Sequence, residues 1–287
     1  MKLQANYMDC QLTSSALHGR GKVHSLFHSS VNILLENGCF CTLCAPADDY
    51  GPNGIILEKS ICFLEPSLHL SQGQLVTIHK GNLLLGEICV ETRNAETFSC
   101  KLPDLSPGLT PQQISLGKAK ALSAKESISI QRKDWDWPAQ FQKRTEQFCS
   151  AITLNWRTVP HSVKQLIGFG IGSTPSGDDF LTGCLSVLTV CLGAKAPQLH
   201  TIHRAIQRNI GRTTTISKYM LLQACSGQVM CSLKNWILSL YQEDSENEAA
   251  CRHQLLRIGA TSGYDMAAGV IEGCRIIWIN QHKNYNL

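Results

Sequence analysis

No part of this sequence is apolar for long enough to cross a bilayer; the longest apolar run, residues 180–193, is short and interrupted. Residues 1–15 lack the apolar stretch of a signal peptide, so the protein is expected in the cytoplasm, away from membranes. Basic runs are missing as well. Lys and Arg are spread along the chain with a net charge of +4, and nowhere form the stripe that tracks a phosphate backbone, which sets nucleic acid aside. Charged residues make up only 17% of the chain against 43% apolar, a balance that buries a core rather than holding the chain open. Neither the dinucleotide-binding glycine fingerprint nor the Walker lysine occurs.

Cysteine, by contrast, is plentiful, with 14 residues scattered over the chain, as reduced, buried cysteines often are. Cys39, Cys41 and Cys44 offer three thiolates in a C-x-C-x-x-C pattern, but no further Cys/His pair follows at finger spacing to complete a four-ligand zinc site. The same stretch alternates as a strand does, with some cysteines turned inward, and that reading is preferred.

The first hundred residues read mainly as strands: 31–35, 39–44, 54–57, 74–79 and 83–90 are short apolar runs between turn residues. Asn37-Gly38 and Lys80-Gly81-Asn82 have the composition of hairpin turns. Composition shifts to Pro, Ser, Lys and Gln between Pro103 and Pro138, with one helix expected over 111–122. Beyond it the period changes. Phe141, Phe148 and Ile152 fall on one helical face, and 180–192, 216–225, 229–240 and 266–279 are helix-length. The expectation is an α+β chain: a β-rich domain over 1–105 forming a small sheet or open barrel, a connecting segment over 106–138, and a mostly helical domain over 139–287.

The densest polar signal lies in that helical half, in Gly168-Phe-Gly-Ile-Gly-Ser-Thr-Pro-Ser-Gly-Asp-Asp-Phe-Leu-Thr-Gly183. Its glycines allow close backbone approach, and a helix beginning near Gly177 would aim N–H groups at an anion. Asp178 and Asp179 oppose an anion unless a metal, a cation or a proton intervenes, and would instead grip Mg²⁺ or a substrate amide. Ser176-x-x-Asp179 also has the form of a capping box, which would account for two residues but not for Thr174, the glycines and the second acid.

A second copy strengthens the functional reading. Ser176-Gly-Asp-Asp-Phe-Leu-Thr-Gly183 and Ser262-Gly-Tyr-Asp-Met-Ala-Ala-Gly269 share S-G-x-D-x-x-x-G, so Asp179 and Asp265 are equivalent. Two helices are expected to start side by side at one cleft, with the glycine four residues after each Asp letting their backbones pack closely. Two ordinary capped helices are the plainer alternative. In Arg212-Thr-Thr-Thr-Ile-Ser-Lys218, Thr213, Thr214 and Ser217 suit ligand contact and helix capping equally, with Arg212 the nearest cation. His200 and His203 lack a third ligand and read as helix surface, Trp135-Asp-Trp137 as a packed edge, and Ser106-Pro-Gly-Leu-Thr-Pro111 as a turn.

Together, His24-Ser25, Gly51-Pro-Asn-Gly54, Gly170-x-Gly-x-Thr-Pro-Ser-Gly-Asp-Asp179, Thr213-Thr-x-Ile-Ser217 with Ala224 and Gly227, and Gly259-x-Thr-Ser-Gly-x-Asp265 resemble the AllH-type family of bacterial proteins. Family members often carry Pro and Leu where this chain has Ile171 and Ser173. The resemblance implies a component of an oxamate carbamoyltransferase-like system of purine-derived nitrogen catabolism, working beside an acyl-CoA-synthetase-like subunit. Its chemistry would move a carbamoyl group between an amide acceptor and phosphate.

The residues expected to carry the site are Asp178, Asp179 and Asp265 for chemistry. Gly170, Gly172, Thr174, Ser176, Gly177, Thr213, Thr214, Ser217, Thr261, Ser262 and Gly263 are expected for binding, with His24, Ser25 and Asn53 as additions. Carbamoyl phosphate would set its phosphate on a helix start and its NH₂ on Asp179 or Asp265, with the N–H groups of Gly177 and Gly263 as oxyanion donors. No cofactor is expected beyond a role for Mg²⁺. Two other readings stay open: a non-catalytic assembly subunit, and a Mg²⁺-dependent hydrolase.

Overall fold

Strands fill the first part of the chain and helices the second. The computed structural model describes residues 1–287 apart from 13–15, 47–48, 80, 132–138 and 285–287, so the Trp135-Asp-Trp137 segment and Lys80 lie outside the described residues. The chain divides into two compact units, Met1–Cys100 and Lys101–Leu287.

The first unit holds β1 (Lys2–Asp9), β2 (Gly19–Leu26), β3 (Ser30–Leu35), β4 (Phe40–Cys44), β5 (Gly54–Leu57), β6 (Leu75–His79), β7 (Asn82–Leu85), β8 (Ile88–Glu91) and β9 (Glu96–Phe98). Of the two forms open to a strand-rich half, sheet or barrel, it takes the barrel. Eight strands run in the order β5-β4-β3-β2-β6-β7-β8-β1, and β1 pairs back onto β5 to close the ring. An eight-stranded ring leaves an interior just wide enough for side chains. β1 makes closure possible by changing partners along its length: Lys2 to Gln4 pair with β8, and Ala5 to Met8 with β5. Past the bulge in β1, Tyr7 to Asp9 take β9 in parallel.

Three strands, β1, β2 and β9, were not visible as apolar runs, because each carries polar or glycine residues at many positions. The run over 83–90 is two strands rather than one. Gly86, with φ of 57°, turns the chain between β7 and β8 at a conformation that costs glycine little. Gly38, with φ of 84°, closes the β3–β4 hairpin as Asn37-Gly38 suggested. Cys41 is buried in β4 while Cys39 and Cys44 are half-buried beside it, which is the strand reading of that cluster.

The second unit is built on one helix pair, α4 (Ser176–Leu192) and α9 (Ser262–Asn284). Every residue of α4 from Gly177 to Cys191 is buried, as expected of a helix that is apolar on all sides. Around the pair lie α1 (Pro111–Gln131), α2 (Ala139–Leu154), α3 (Val159–Leu166), α5 (Pro197–Asn209), α6 (Thr215–Cys225), α7 (Cys231–Leu240) and α8 (Ser245–Leu256). The segment read from composition as a connection carries α1, nine residues longer than the expected 111–122 and packed along α9. α2 buries Phe141, Phe148 and Ile152 together, and the rings of Phe141 and Phe148 meet Phe180 of α4 edge to face at 6.1 Å. His200 is exposed and His203 half-buried on α5.

Candidate functional site

Two helix-turn-helix pieces, α3–α4 and α8–α9, repeat one another beyond their shared S-G-x-D-x-x-x-G. The Gly177 N–H donates to Phe169 O at 2.8 Å, and the Gly263 N–H to Ile258 O at 3.0 Å. A Cβ on Gly177 would lie 2.1 Å from Leu166 O, and one on Gly263 the same 2.1 Å from Leu255 O. Gly170 and Gly259, each just after the accepting carbonyl and each at positive φ, sit against Ser176 and Ser262 respectively. Both glycines let the turn fold back onto its own helix start, where a Cβ on Gly170 would collide with Ser176 N at 2.6 Å and one on Gly259 would crowd Ser262 Oγ at 3.2 Å. The turns differ in one respect. From accepting carbonyl to glycine is eight residues in the first and five in the second, so the first turn is three residues longer. Its tip carries Ile171, 94% exposed.

The two helices cross where the sequence placed their glycines. A Cβ on Gly183 would stand 2.0 Å from Met266 O, and one on Gly269 2.1 Å from Phe180 O. That close approach sets the first turns of α4 and α9 beside each other. Thr174 Oγ1 and Ser262 Oγ are 2.8 Å apart, a hydrogen bond from one turn to the other.

Asp178 and Asp179 have separate jobs. Asp178, 1% exposed, is fully engaged: Oδ1 accepts the Gly168 N–H at 2.9 Å, and Oδ2 accepts the hydroxyls of Ser217, at 2.7 Å, and Thr213. Burial raises its carboxyl above the usual range, while these three hydrogen bonds pull the other way. It ties the glycine turn to the start of α6. Thr214 caps α6, accepting the Ser217 N–H at 3.1 Å, and also donates to Ser173 O. The hydroxyls of Thr213, Thr214 and Ser217 therefore have protein partners in this structure.

Asp179 faces the other way, toward α9, and is also 1% exposed. The hydroxyls of Ser262 and Thr174 donate to it, but Oδ2 is buried and has no hydrogen-bond partner among the described residues. Burial pushes its carboxyl well above the ordinary carboxylate range, and the charges of Asp265 and Asp178 add to the rise against the two hydroxyls. Asp265, 0% exposed, is thus within electrostatic reach across the helix pair. Thr174, Ser176, Thr261 and Ser262 are half-buried around the two acids.

Several expectations change. Ser176 is the first helical residue of α4 rather than its cap: Pro175 takes the cap position with no side-chain bond, so no capping box forms there. The Gly177 and Gly263 N–H groups, expected as free oxyanion donors, are both spent on their own turns. The Asp178 and Asp179 N–H groups bond to Pro175 O, and that of Asp265 to Thr261 O. An anion would find few open amides here. Gly172 stands at the exposed tip with nothing near its Cβ position, whereas Gly170 lies tight against the helix start. Among the described residues, no three His, Cys, Asp or Glu side chains come together as a metal site. Arg144 of α2 was not singled out by sequence. It donates to Gln165 O and covers the Phe169 ring at 4.2 Å, bracing the entry to the first turn.

His24, Ser25 and Asn53 belong to the barrel unit and have hydrogen-bond partners there. His24 Nδ1 and Ser25 Oγ are 3.2 Å apart, Asn32 donates to Ser25 Oγ at 2.9 Å, and Asn53 donates to Phe40 O at 3.1 Å. Asn53 takes φ of 56°, and its N–H bonds to the buried Asp9 carboxylate at 2.8 Å. Two surface hollows lie elsewhere, one by Gln4, Asn82 and Arg93 of the barrel and one between α2 and α3. Neither includes Asp179 or Asp265.

A closed strand barrel and a helical unit organised around a duplicated helix start define a two-part α+β protein. Each part is matched by its own family description: residues 4–97 by the AllH family N-terminal domain, and residues 166–274 by oxamate carbamoyltransferase subunit AllH. The chain belongs to the AllH family. The second match begins at Leu166, which meets Gly177, and ends at Cys274 on α9, so it spans both copies of the helix start. No solved structure matches the chain. Among the described residues, no helix is long and apolar enough to cross a membrane.

Proposed function

We propose that this chain is the component of a carbamoyltransferase system, of the purine or allantoin nitrogen-catabolic type, whose helical unit binds the amide end of a small substrate between Asp179 and Asp265. The family description supplies the system, since it names a subunit of oxamate carbamoyltransferase. The observation that carries the site is Asp179 Oδ2, a buried carboxylate oxygen without a hydrogen-bond partner among the described residues. Buried polar atoms are nearly always satisfied, and an exception at a helix start ringed by Thr174 and Ser262 supports a ligand there.

Carbamoyl phosphate and oxamate both carry an NH₂ group, and a carboxylate oxygen accepts from it directly. Two acids and spent helix amides favour that neutral, donor-bearing end over the phosphate at this spot. The phosphate would lie outward, toward the exposed Arg212, whose backbone already touches Gly168. Because the family is named as a subunit, a second protein completes the activity, and an acyl-CoA-synthetase-like chain is our candidate.

Thermal unfolding in oxamate and in carbamoyl phosphate tests the reading. A ligand at a hundred times its Kd adds about 2.7 kcal/mol to stability, so the transition of the full chain should rise measurably. The same ligands should leave Asp265→Asn unmoved. Equal shifts in both proteins would place binding elsewhere.

A further inference from the structure

Asp179 Oδ2 is buried without a hydrogen-bond partner among the described residues, and the residue, 1% exposed, borders neither surface hollow. A small molecule reaches it only if a covering segment moves. Most of its surroundings are fixed. α4 is buried from Gly177 to Cys191, and α9 is seated by Gly263 and Gly269, whose Cβ positions fall 2.1 Å from backbone oxygens. Pro175 is buried, and its carbonyl accepts the Asp178 and Asp179 N–H groups. Phe169 O is held by the Gly177 N–H at 2.8 Å.

Between those two anchors, Phe169 and Pro175, few contacts hold the chain. Gly170 to Ser173 are exposed, and no backbone N–H from Gly170 to Thr174 finds a partner among the described residues. Two hydroxyl contacts pin the segment: Thr214 donates to Ser173 O, and Thr174 Oγ1, beside Asp179, meets Ser262 Oγ at 2.8 Å. The other copy of the repeat shows what the segment is not needed for. There only Ala260 and Thr261 join Gly259 to Ser262, and the same helix start forms. The additional residues of the first turn serve something other than starting a helix.

We infer that residues 170–174 are a lid over Asp179, which swings out between the Phe169 and Pro175 anchors to admit a ligand and then closes over it. Opening lifts Thr174 from Ser262 and uncovers the one acid oxygen that lacks a partner. Gly170 and Gly172, with φ of 125° and 91°, give the closed lid a shape that other residues resist. Lids of this kind move on the microsecond-to-millisecond scale and keep water from what they cover. The inference rests on the binding reading above and adds its entrance.

A diazoacetamide esterifies protonated carboxyls, and burial holds both Asp178 and Asp179 above the ordinary carboxylate range, so the two neighbours serve as reference and probe. Asp178 stays tied to Gly168, Thr213 and Ser217, outside the moving segment. Mass spectrometry of the full chain treated at neutral pH should find the ester on Asp179 and not on Asp178. Gly172→Ala adds a methyl that meets nothing in the closed lid, at a φ that disfavours that state, and should raise the Asp179 rate about tenfold. Saturating oxamate should suppress the reaction in both proteins. An unchanged rate in Gly172→Ala, or esters appearing on Asp178 and Asp179 together, overturns the lid. A tenfold rise that oxamate does not suppress upholds the lid and overturns the binding reading instead.

Discussion

Gly269→Ala should destabilise the helical unit by about 3 kcal/mol, the upper end of what overpacking a core costs. The added methyl would stand 2.1 Å from Phe180 O and 2.7 Å from Cys184 N, and both are helix backbone, which has no rotamer to move to. Gly183→Ala meets Met266 O at 2.0 Å and should cost a similar amount. Either change forces α4 and α9 apart, so the double variant should lose less than the two single losses combined. Urea unfolding followed by circular dichroism reads these values. Gly172→Ala is the control, because its Cβ position is open and only its φ of 91° resists. A Gly269→Ala protein within 0.5 kcal/mol of the wild type would show that the helices do not cross at these glycines.

Asp179→Asn is expected to do the reverse for stability while abolishing ligand binding. A carboxyl whose folded-state pKa is raised stabilises the fold fully below its unfolded value, and that contribution is lost as pH rises through the folded value. At neutral pH the unfolded chain therefore gains by releasing its proton freely. Asn keeps the shape, carries no charge, and still meets the hydroxyls of Thr174 and Ser262, which donate or accept as needed. The variant should be more stable than the wild type by roughly 0.5–2 kcal/mol near pH 7, the usual gain when a strained functional group is removed, with the difference vanishing below about pH 4. Thermal melts across that range would record it. A variant less stable than the wild type at neutral pH would mean that Asp179 holds the fold as an ionised group.

The helical site was the more legible half of this chain, and the reason is its repetition. Ser-Gly-x-Asp with Gly four residues on, written twice, marks the two helix starts and their crossing in the sequence itself, because so close a helix contact requires glycine. What lay between those letters was not legible. The Gly177 and Gly263 amides read as open in sequence, yet they are bonded to carbonyls eight and five residues back in the chain, respectively, a turn geometry that residue types do not encode. Asp178 and Asp179 look alike as neighbours in sequence. A helix turns 100° between them, which sends one to α6 and the other to α9. In the barrel, β3 to β6 showed as apolar runs, while β1 stayed hidden because its partners change along its length and its burial does not alternate cleanly. The turn at Gly86 was masked by apolar residues on both sides, with nothing but a glycine and Glu87 to mark it.

A crystal structure of the full chain with oxamate bound would test the central claim most directly. The account expects the amide nitrogen within hydrogen-bond distance of Asp179 Oδ2, between Thr174 and Ser262, with Asp178 still held by Gly168, Thr213 and Ser217. Oxamate seated away from both acids, with Asp179 Oδ2 as buried and unpartnered as before, would contradict it.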